Sequence, residues 1–244
     1  MKPVLLMFTL ALLLLVSPCQ AGFFDELTRT ILPTTRQGSS LDTTTVVKGL
    51  KEALATGTER AVTSVAQPDG YFGNQLIKIM LPERLQQAAN LLRQVGYQQQ
   101  VDALVLSMNR AAEQAAPRAA SFFGEAIREM TMEDARAILQ GGDTAATRFF
   151  EDKTRERLFT SFKPSVSKSM DQLGTARAYK EMIGKYETLP LVSLAAKPSL
   201  DLDSYVTNKA LDGLFRMVAE EEKKIRTNPA ARTTELLRTV FGGR

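Results

Sequence analysis

Residues 98–158 constrain the fold most, because their apolar side chains recur at steps of three and four residues. That spacing places side chains on one face of an α-helix. The recurring positions are Val101, Leu104, Val105, Met108, Ala112 and Ala115. A face of this kind must be covered by other parts of the chain, so the sequence predicts a mainly α protein whose helices pack around shared apolar stripes.

Breaks between helices can also be located in this segment. Pro117 has no N–H for the carbonyl one turn earlier, so we expect the helix to kink or restart there. Thr131 and Asp134 have the spacing of a capping box, which predicts a helix start. The glycines at 141 and 142 predict a helix end. The segment therefore contains two or three consecutive helices.

Similar patterns along the rest of the chain predict a single bundle-like domain of about seven to nine helices, with at most one short extended segment. Further helices are predicted at residues 45–66, 83–95, 170–187 and 205–227, and a short one after Pro229. Pro164 predicts a break between residues 162 and 169. Residues 76–81 (LIKIML) are too short for periodicity to decide between an extended segment and one helical turn.

Two glycine patterns suggest specific packing. Residues 67–70 (QPDG) predict a turn in which Gly70 takes the positive φ. The helix predicted at residues 45–66 has a small residue at every fourth position, which lets another backbone approach closely. Its members are Gly49, Ala53, Gly57 and Ala61. Because a second stripe of small residues surrounds Pro117, we expect those two helices to pack together.

The first 21 residues have the pattern of a secretory signal peptide. Lys2 precedes an apolar run of about thirteen residues that ends before Pro18, whereas a membrane-spanning helix needs roughly twenty. We expect cleavage after Ala21, a short helix and linker at residues 22–44, and a helical domain at residues 45–244 with no transmembrane span. Lipid attachment at Cys19 is the less favoured alternative, because a proline beside such a cysteine is atypical.

The residue inventory excludes several kinds of chemistry. The chain has no histidine and no tryptophan, and its one cysteine lies in the predicted signal peptide. Thiol catalysis, histidine acid–base catalysis and the usual zinc or haem sites therefore lack their residues. The net charge of +4 is modest and most of the excess lies from Arg216 to the end of the chain, which argues against nucleic-acid binding. We predict no metal, no cofactor and a periplasmic or secreted location.

One polar cluster is a candidate binding site in the central helix. Asn109, Arg110 and Glu113 lie within about one helical turn, at the edge of the apolar stripe. They either line a pocket at the proline kink or form a hydrogen-bond network between helices. The structural alternative is favoured, because polar networks of this kind often serve the fold.

A second candidate cluster lies in the last long helix. Glu221 and Glu222 occupy the turn between two apolar positions, so one of them should point inward, and Arg226 is in reach as its partner. The alternative, a solvated run of charges, is favoured. Neither cluster indicates two carboxylates at the separation that glycoside hydrolysis requires, so no residue is assigned a catalytic role.

Several long segments together resemble one bacterial protein family. They are GLKEAL (residues 49–54), DGYFGN (69–74), MNRAAEQAAPRAA (108–120), MTMEDARAILQGGDTAATRFF (130–150) and YVTNKALDGLFRMVAEEEKKIRTNPAARTTELLRTVFG (205–242). In this order they resemble the family known as domain of unknown function 4197. The resemblance implies an exported, mostly helical bacterial protein and gives no residue a catalytic role.

Three functions are compatible with these observations. The first is a non-enzymatic periplasmic protein that binds another protein or a component of the envelope. The second is a carrier whose helices enclose an apolar ligand, which requires a buried apolar cavity. The third, less favoured, is a carboxylate-based hydrolase of the envelope, which requires two inward carboxylates in an open cleft.

Overall fold

The predicted apolar stripes form eight α-helices in the part of the chain that the structure describes. A computed structural model describes residues 43–188 and 201–228, and no strand occurs within them. The helices are α1 (Thr43–Ala66), α2 (Glu83–Gln94), α3 (Gln98–Ala115), α4 (Ala119–Glu129), α5 (Met132–Gln140), α6 (Ala145–Gln172), α7 (Thr175–Glu187) and α8 (Leu202–Thr227). The mainly α fold class is confirmed.

The core lies between the long helices α1, α3, α6 and α8. Helix α8 packs against α1 and α6, and α3 packs against α6, α7 and α8. All six residues of the predicted α3 stripe are buried. The rings of Phe123 and Phe150 lie 5.1 Å apart, and Phe215 of α8 lies 6.0 Å from Phe123. These aromatic contacts join three helices in one apolar cluster.

Three of the predicted breaks are confirmed, and residues 98–158 contain α3, α4, α5 and the first half of α6, four helices instead of the two or three predicted. A single 3-10 turn at Ala116–Arg118 separates α3 from α4, as the missing N–H of Pro117 requires. Thr131 and Asp134 form a capping box with both of its reciprocal hydrogen bonds. Helix α5 ends at Gln140, directly before the two glycines.

The break predicted around Pro164 is wrong, because α6 continues through it to Gln172. Pro164 is exposed, whereas Phe162 and Val166 on either side are fully buried. The carbonyl one turn before Pro164, which has no proline N–H to accept from, therefore faces solvent, where water can donate to it instead. Packing of the flanking apolar residues outweighs the preference of proline against a helix interior.

The helix start predicted at Met170 is also wrong. Residue 170 is still part of α6, and the following helix, α7, begins at Thr175. Gly174 lies between them with φ of 72°, a left-handed conformation that favours glycine. The turn at this glycine, and not the proline ten residues earlier, separates the two helices.

In the turn at residues 67–70, Asp69 and not Gly70 has the positive φ, at 66°. The prediction for Gly70 is therefore wrong. That glycine is required by space, because a Cβ there would lie 2.6 Å from the carbonyl oxygens of Ser64 and Val65. Asp69 tolerates the left-handed conformation better than most residues.

The predicted packing of α1 against the helices around Pro117 is confirmed, because α1 contacts α3, the 3-10 turn and α4. At Gly57, however, the neighbouring helix is α8. A Cβ at Gly57 would lie 3.4 Å from Ile225 Cδ1 and 3.9 Å from Glu221 Cβ, both on α8. Ala120 of the second stripe is exposed. Gly57 therefore serves a close approach of α1 to α8.

Several predictions lie outside the described residues. They include the signal peptide, residues 22–42 of the predicted helix and linker, the connection at residues 190–198 and the short helix after Pro229. None of the described helices combines the length and apolar character that crossing a bilayer requires.

Candidate functional site

Asn109 of α3 holds the extended chain at Ile79. The Ile79 N–H donates to Asn109 Oδ1 at 2.8 Å, and Asn109 Nδ2 donates to the Ile79 carbonyl at 2.8 Å. The second Nδ2 proton is given to the Val105 carbonyl, also at 2.8 Å. Asn109 is fully buried, so these bonds satisfy its amide and fix the backbone of residue 79 against α3.

Glu113 holds the preceding turn in the same way. Its Oε1 accepts hydrogen bonds from the N–H groups of Tyr71 and Phe72, at 3.1 and 3.2 Å. Its Oε2 accepts from Arg110 Nη1 at 2.6 Å, and Arg110 Nη2 pairs with Asp69 at 2.6 Å. Glu113 is buried, and the guanidinium compensates its charge. The hydrogen bond that Arg110 donates to Glu113 raises the pKa of Arg110 above its ordinary value.

Tyr71 ties this turn to α8. Its side chain is fully buried, and its hydroxyl donates to the Ala210 carbonyl at 2.6 Å. A Cβ at Gly213 would lie 2.7 Å from Tyr71 Cε1, so only glycine leaves room for the ring. Burial, and then the charge of Glu113, raises the pKa of Tyr71 well above its ordinary value, so the hydroxyl remains a donor.

The structure thus brings together Asn109, Arg110 and Glu113, and they hold residues 69–81, which we term the anchored loop. Sequence reasoning did not find Tyr71, although an aromatic residue between two glycines of DGYFGN marks a tightly packed turn. The hydrogen bonds of Asn109 and Glu113 go to groups of the protein itself. A role of these residues in ligand binding stays a prediction.

Glu222 and Arg226 of the second cluster also lie together. Glu222 Oε1 accepts from the Ala146 N–H at 2.9 Å, and its Oε2 accepts from the N–H of Thr147. Arg226 pairs with Glu222 at 2.7 Å and donates to the Ile138 carbonyl at 2.9 Å. The cluster connects the end of α5, the start of α6 and the last turns of α8.

Glu221 lies apart from this network. It is 8 % exposed, and its Oε1 accepts from Lys224 Nζ at 2.6 Å, one turn further along α8. Its Cβ faces Gly57 of α1. Both glutamates are buried, so the favoured interpretation of a solvated run of charges is wrong. Glu222 joins α8 to α6, and its partner Arg226 joins α8 to α5.

A groove of about 440 Å³ lies between the anchored loop and α8. Its walls include Leu76, Lys78, Met80, Tyr205, Lys209 and Arg216. Leu76 is 67 % exposed and Met80 is 47 % exposed, although both flank a backbone that Asn109 fixes. The Tyr205 hydroxyl donates to the Met80 carbonyl at 2.8 Å across the groove. Sequence reasoning missed this site, because its two walls lie more than a hundred residues apart.

Positive charge exceeds negative charge in the groove. Lys78, Lys209 and Arg216 line it, whereas Asp212 is the one carboxylate among its described residues. Asp212 is shared between Lys209 and Arg155. Lys78 Nζ lies 3.9 Å from the centre of the Phe72 ring, a cation–π contact.

Two other pockets bear on the hypotheses about function. A pocket of about 470 Å³ at the junction of α5 and α6 is lined by Asp134, Asp143 and Asp152, but the capping box uses Asp134. Residues 43–188 and 201–228 contain no group of three or more His, Cys, Asp or Glu side chains arranged to hold a metal. An apolar pocket between α1 and α8 has a volume of about 30 Å³, which is room for about one water molecule.

The fold and these contacts define an all-α protein in which buried polar side chains of α3 fix a loop beside a surface groove. A family model described as "Protein of unknown function (DUF4197)" matches residues 40–242. The chain belongs to this family, so the resemblance of its segments is confirmed. No match to the chain was found among curated proteins or among solved structures.

Proposed function

We propose that the protein is an exported, non-enzymatic binding protein of the bacterial periplasm, and that its partner occupies the groove between the anchored loop and α8. The observation that carries this proposal is the exposure of Leu76 and Met80 on a backbone that buried Asn109 holds fixed. Exposed apolar side chains on a fixed loop are typical of interaction sites. The signal-peptide pattern of residues 1–21 supports export.

The state of the buried carboxylates supports a binding role over catalysis. Glu113 and Glu222 each accept backbone hydrogen bonds and pair with an arginine, so neither is available for proton transfer. A carboxylate-based hydrolase needs two carboxylates that flank its substrate. Asp212 is the one carboxylate among the described residues of the groove, and two cations already share it.

The size of the apolar pocket argues against a carrier that encloses its ligand. Sites for small molecules usually have volumes of about 300 to 1,000 Å³. The apolar pocket between α1 and α8 has about 30 Å³. The described residues therefore favour a partner that binds at the surface.

Site-specific photo-cross-linking in the native bacterium tests this function. A photoreactive amino acid replaces Met80 in one strain. In a control strain it replaces Leu173, which is 39 % exposed and does not line the groove. We expect irradiation to link the Met80 protein, and not the Leu173 protein, to a defined envelope component in the periplasmic fraction. Equal adducts from both positions, or none from Met80, would contradict the proposal.

A further inference from the structure

The backbone at residues 78–81 lies outside the helices and follows a turn at residues 75–77, and its burial pattern is that of an extended chain with one occupied edge. Burial alternates from residue 77 to residue 81, since Ile77, Ile79 and Leu81 are buried and the residues between them are not. In an extended chain the N–H and C=O of one residue point to one edge, and those of the next residue point to the other. Asn109 takes both groups of Ile79, so the backbone groups of Lys78 and Met80 lie on the opposite edge.

That opposite edge is partly unpaired. The Met80 carbonyl accepts from the Tyr205 hydroxyl, and the Lys78 N–H donates to the Asn74 carbonyl at 2.8 Å. Within the described residues, no hydrogen bond uses the Lys78 carbonyl or the Met80 N–H. A residue of a parallel β-strand donates to one such carbonyl and accepts from the N–H two residues further on. The edge therefore presents the acceptor and the donor that an added strand requires.

The charges of the groove indicate the composition of such a strand. Lys209 pairs with Asp212 and Arg216 pairs with Glu220, whereas among the described residues Lys78 has no carboxylate partner. Complementary charge favours an acidic partner. Leu76 and Met80 offer apolar contacts on the same surface, which an extended segment reaches with alternate side chains.

We propose that the groove binds an acidic, extended peptide segment of a partner protein, which adds to residues 78–80 as a short parallel β-strand. This inference rests on the proposed function, because it names the chemistry of the partner in the same groove. Acidic side chains of the segment pair with Lys78 and with the exposed Lys209, and its apolar side chains contact Leu76 and Met80. An anionic lipid headgroup satisfies the cations but leaves the backbone donor of Met80 and the acceptor of Lys78 unused, so the observations favour a peptide.

Selection from a displayed library of random heptapeptides on the purified protein tests this inference. We expect the selected peptides to be enriched in Asp and Glu that alternate with apolar residues. Lys78→Glu and Lys209→Glu, made singly, should each weaken binding of a selected peptide about tenfold or more, because each replaces an attraction by a repulsion. Lys168→Glu, an exposed charge reversal on α6 outside the groove, is the matched control and should leave affinity unchanged.

A pair of substitutions at Met80 tests the role of the backbone. Met80→Ala removes the side chain and keeps the N–H, whereas Met80→Pro also removes the N–H. Proline is compatible with an extended residue before it, which is the state of Ile79. We expect Met80→Pro to bind the selected peptide about fivefold more weakly than Met80→Ala, the loss of one hydrogen bond. Circular dichroism and thermal unfolding show whether each variant is folded. If a loop variant does not fold, Lys209→Glu on the exposed face of α8 still tests whether the groove binds the peptide.

Several outcomes would overturn the inference. One is the selection of neutral or basic peptides, and another is equal peptide affinity of the Met80→Pro and Met80→Ala proteins. A third is that no peptide is enriched while the protein binds phosphatidylglycerol vesicles and Lys78→Glu abolishes that binding. If Met80 cross-links to an envelope component in cells but no acidic peptide is selected, the proposed function stands and the strand inference fails. If Met80 gives no adduct and no peptide is selected, both fail.

Discussion

The Glu222 carboxylate caps the first turn of α6 through Thr147. Its Oε2 accepts hydrogen bonds from the Thr147 N–H at 2.9 Å and from the Thr147 hydroxyl at 2.8 Å. Thr144, the residue at the N-cap position, makes no side-chain capping bond. A residue on α8 therefore satisfies N–H groups that are usually satisfied by a side chain local to the helix.

Replacement of this glutamate by glutamine tests the importance of the long-range cap. In Glu222→Gln the side-chain amide repels one of the N–H groups it faces, and Arg226 loses its charged partner. We expect the free energy of unfolding to fall by about 2 to 4 kcal/mol, measured by chemical denaturation. Glu220→Gln, which removes a partly exposed pair with Arg216, is the control and should cost less than about 1 kcal/mol. Equal losses for the two variants would show that the cap contributes little.

Glu113→Gln tests whether the first polar cluster serves the fold. The carboxylate loses its charge-assisted bonds to Arg110 and to the turn at Tyr71, so we expect a loss of about 1.5 to 3 kcal/mol. Asp102→Asn, which removes an exposed ion pair on the same helix, should cost less than about 1 kcal/mol. Photo-cross-linking from Met80 should survive in the folded variant. Unchanged unfolding together with lost cross-linking would mean that Glu113 contacts the partner.

Substitutions at Gly57 measure how closely α1 approaches α8. A methyl group there makes ordinary contacts with Ile225, so Gly57→Ala should raise stability by about 0.5 to 1 kcal/mol through helix propensity. Gly57→Leu should lower it by about 1 to 3 kcal/mol, because the longer side chain pushes the two helices apart. Thr56→Leu, at the adjacent and less buried position, is the control. Equal denaturation midpoints for the two leucine variants would contradict the close approach.

The N-cap of α8 should contribute a pH-dependent stability. Hydrogen bonds from Ser204, and then Lys163, lower the pKa of Asp201 from 3.8 to about 2. Because the folded pKa lies below the unfolded one, the stabilisation is present above about pH 3.8 and is lost as pH falls toward 2. Asn is an equally good N-cap, so Asp201→Asn isolates the charge. We expect the Tm difference between the two proteins to shrink between pH 4 and pH 2, and a constant difference would refute this.

Intact-mass measurement of the exported protein tests the first 21 residues. We expect a chain that begins at Gly22, because the long apolar run that precedes it has the length and flanks of a cleaved signal peptide. A mass that includes lipid on Cys19 would instead support anchoring to a membrane. A mass that includes residues 1–21 would rule out cleavage.

Local patterns predicted those parts of the fold that neighbouring residues determine. The stripe of α3, the restart at Pro117 and the capping box at Thr131 each depend on residues within about one or two turns, and each is confirmed. Pro164 is the counterexample, since the burial of Phe162 and Val166 by distant helices decides its conformation.

The candidate site was less predictable, because its partners lie far apart in the chain. The sequence identified Asn109 and Glu113 but not the loop that they hold, since Asn109 and Ile79 are 30 residues apart. The groove pairs Met80 with Tyr205 across 125 residues, and no local period relates such positions. Prediction of that contact requires the packing of the whole domain.

The distance along the chain between Glu222 and the start of α6 also sets an order for folding. The chain is synthesised from its N-terminus, so the Ala146 and Thr147 N–H groups lack the Glu222 carboxylate until about nine-tenths of the residues have been joined. The Ala210 carbonyl that receives the Tyr71 hydroxyl is made almost as late. The nascent protein therefore cannot complete these contacts until α8 emerges, which is compatible with the proposed export as an unfolded chain.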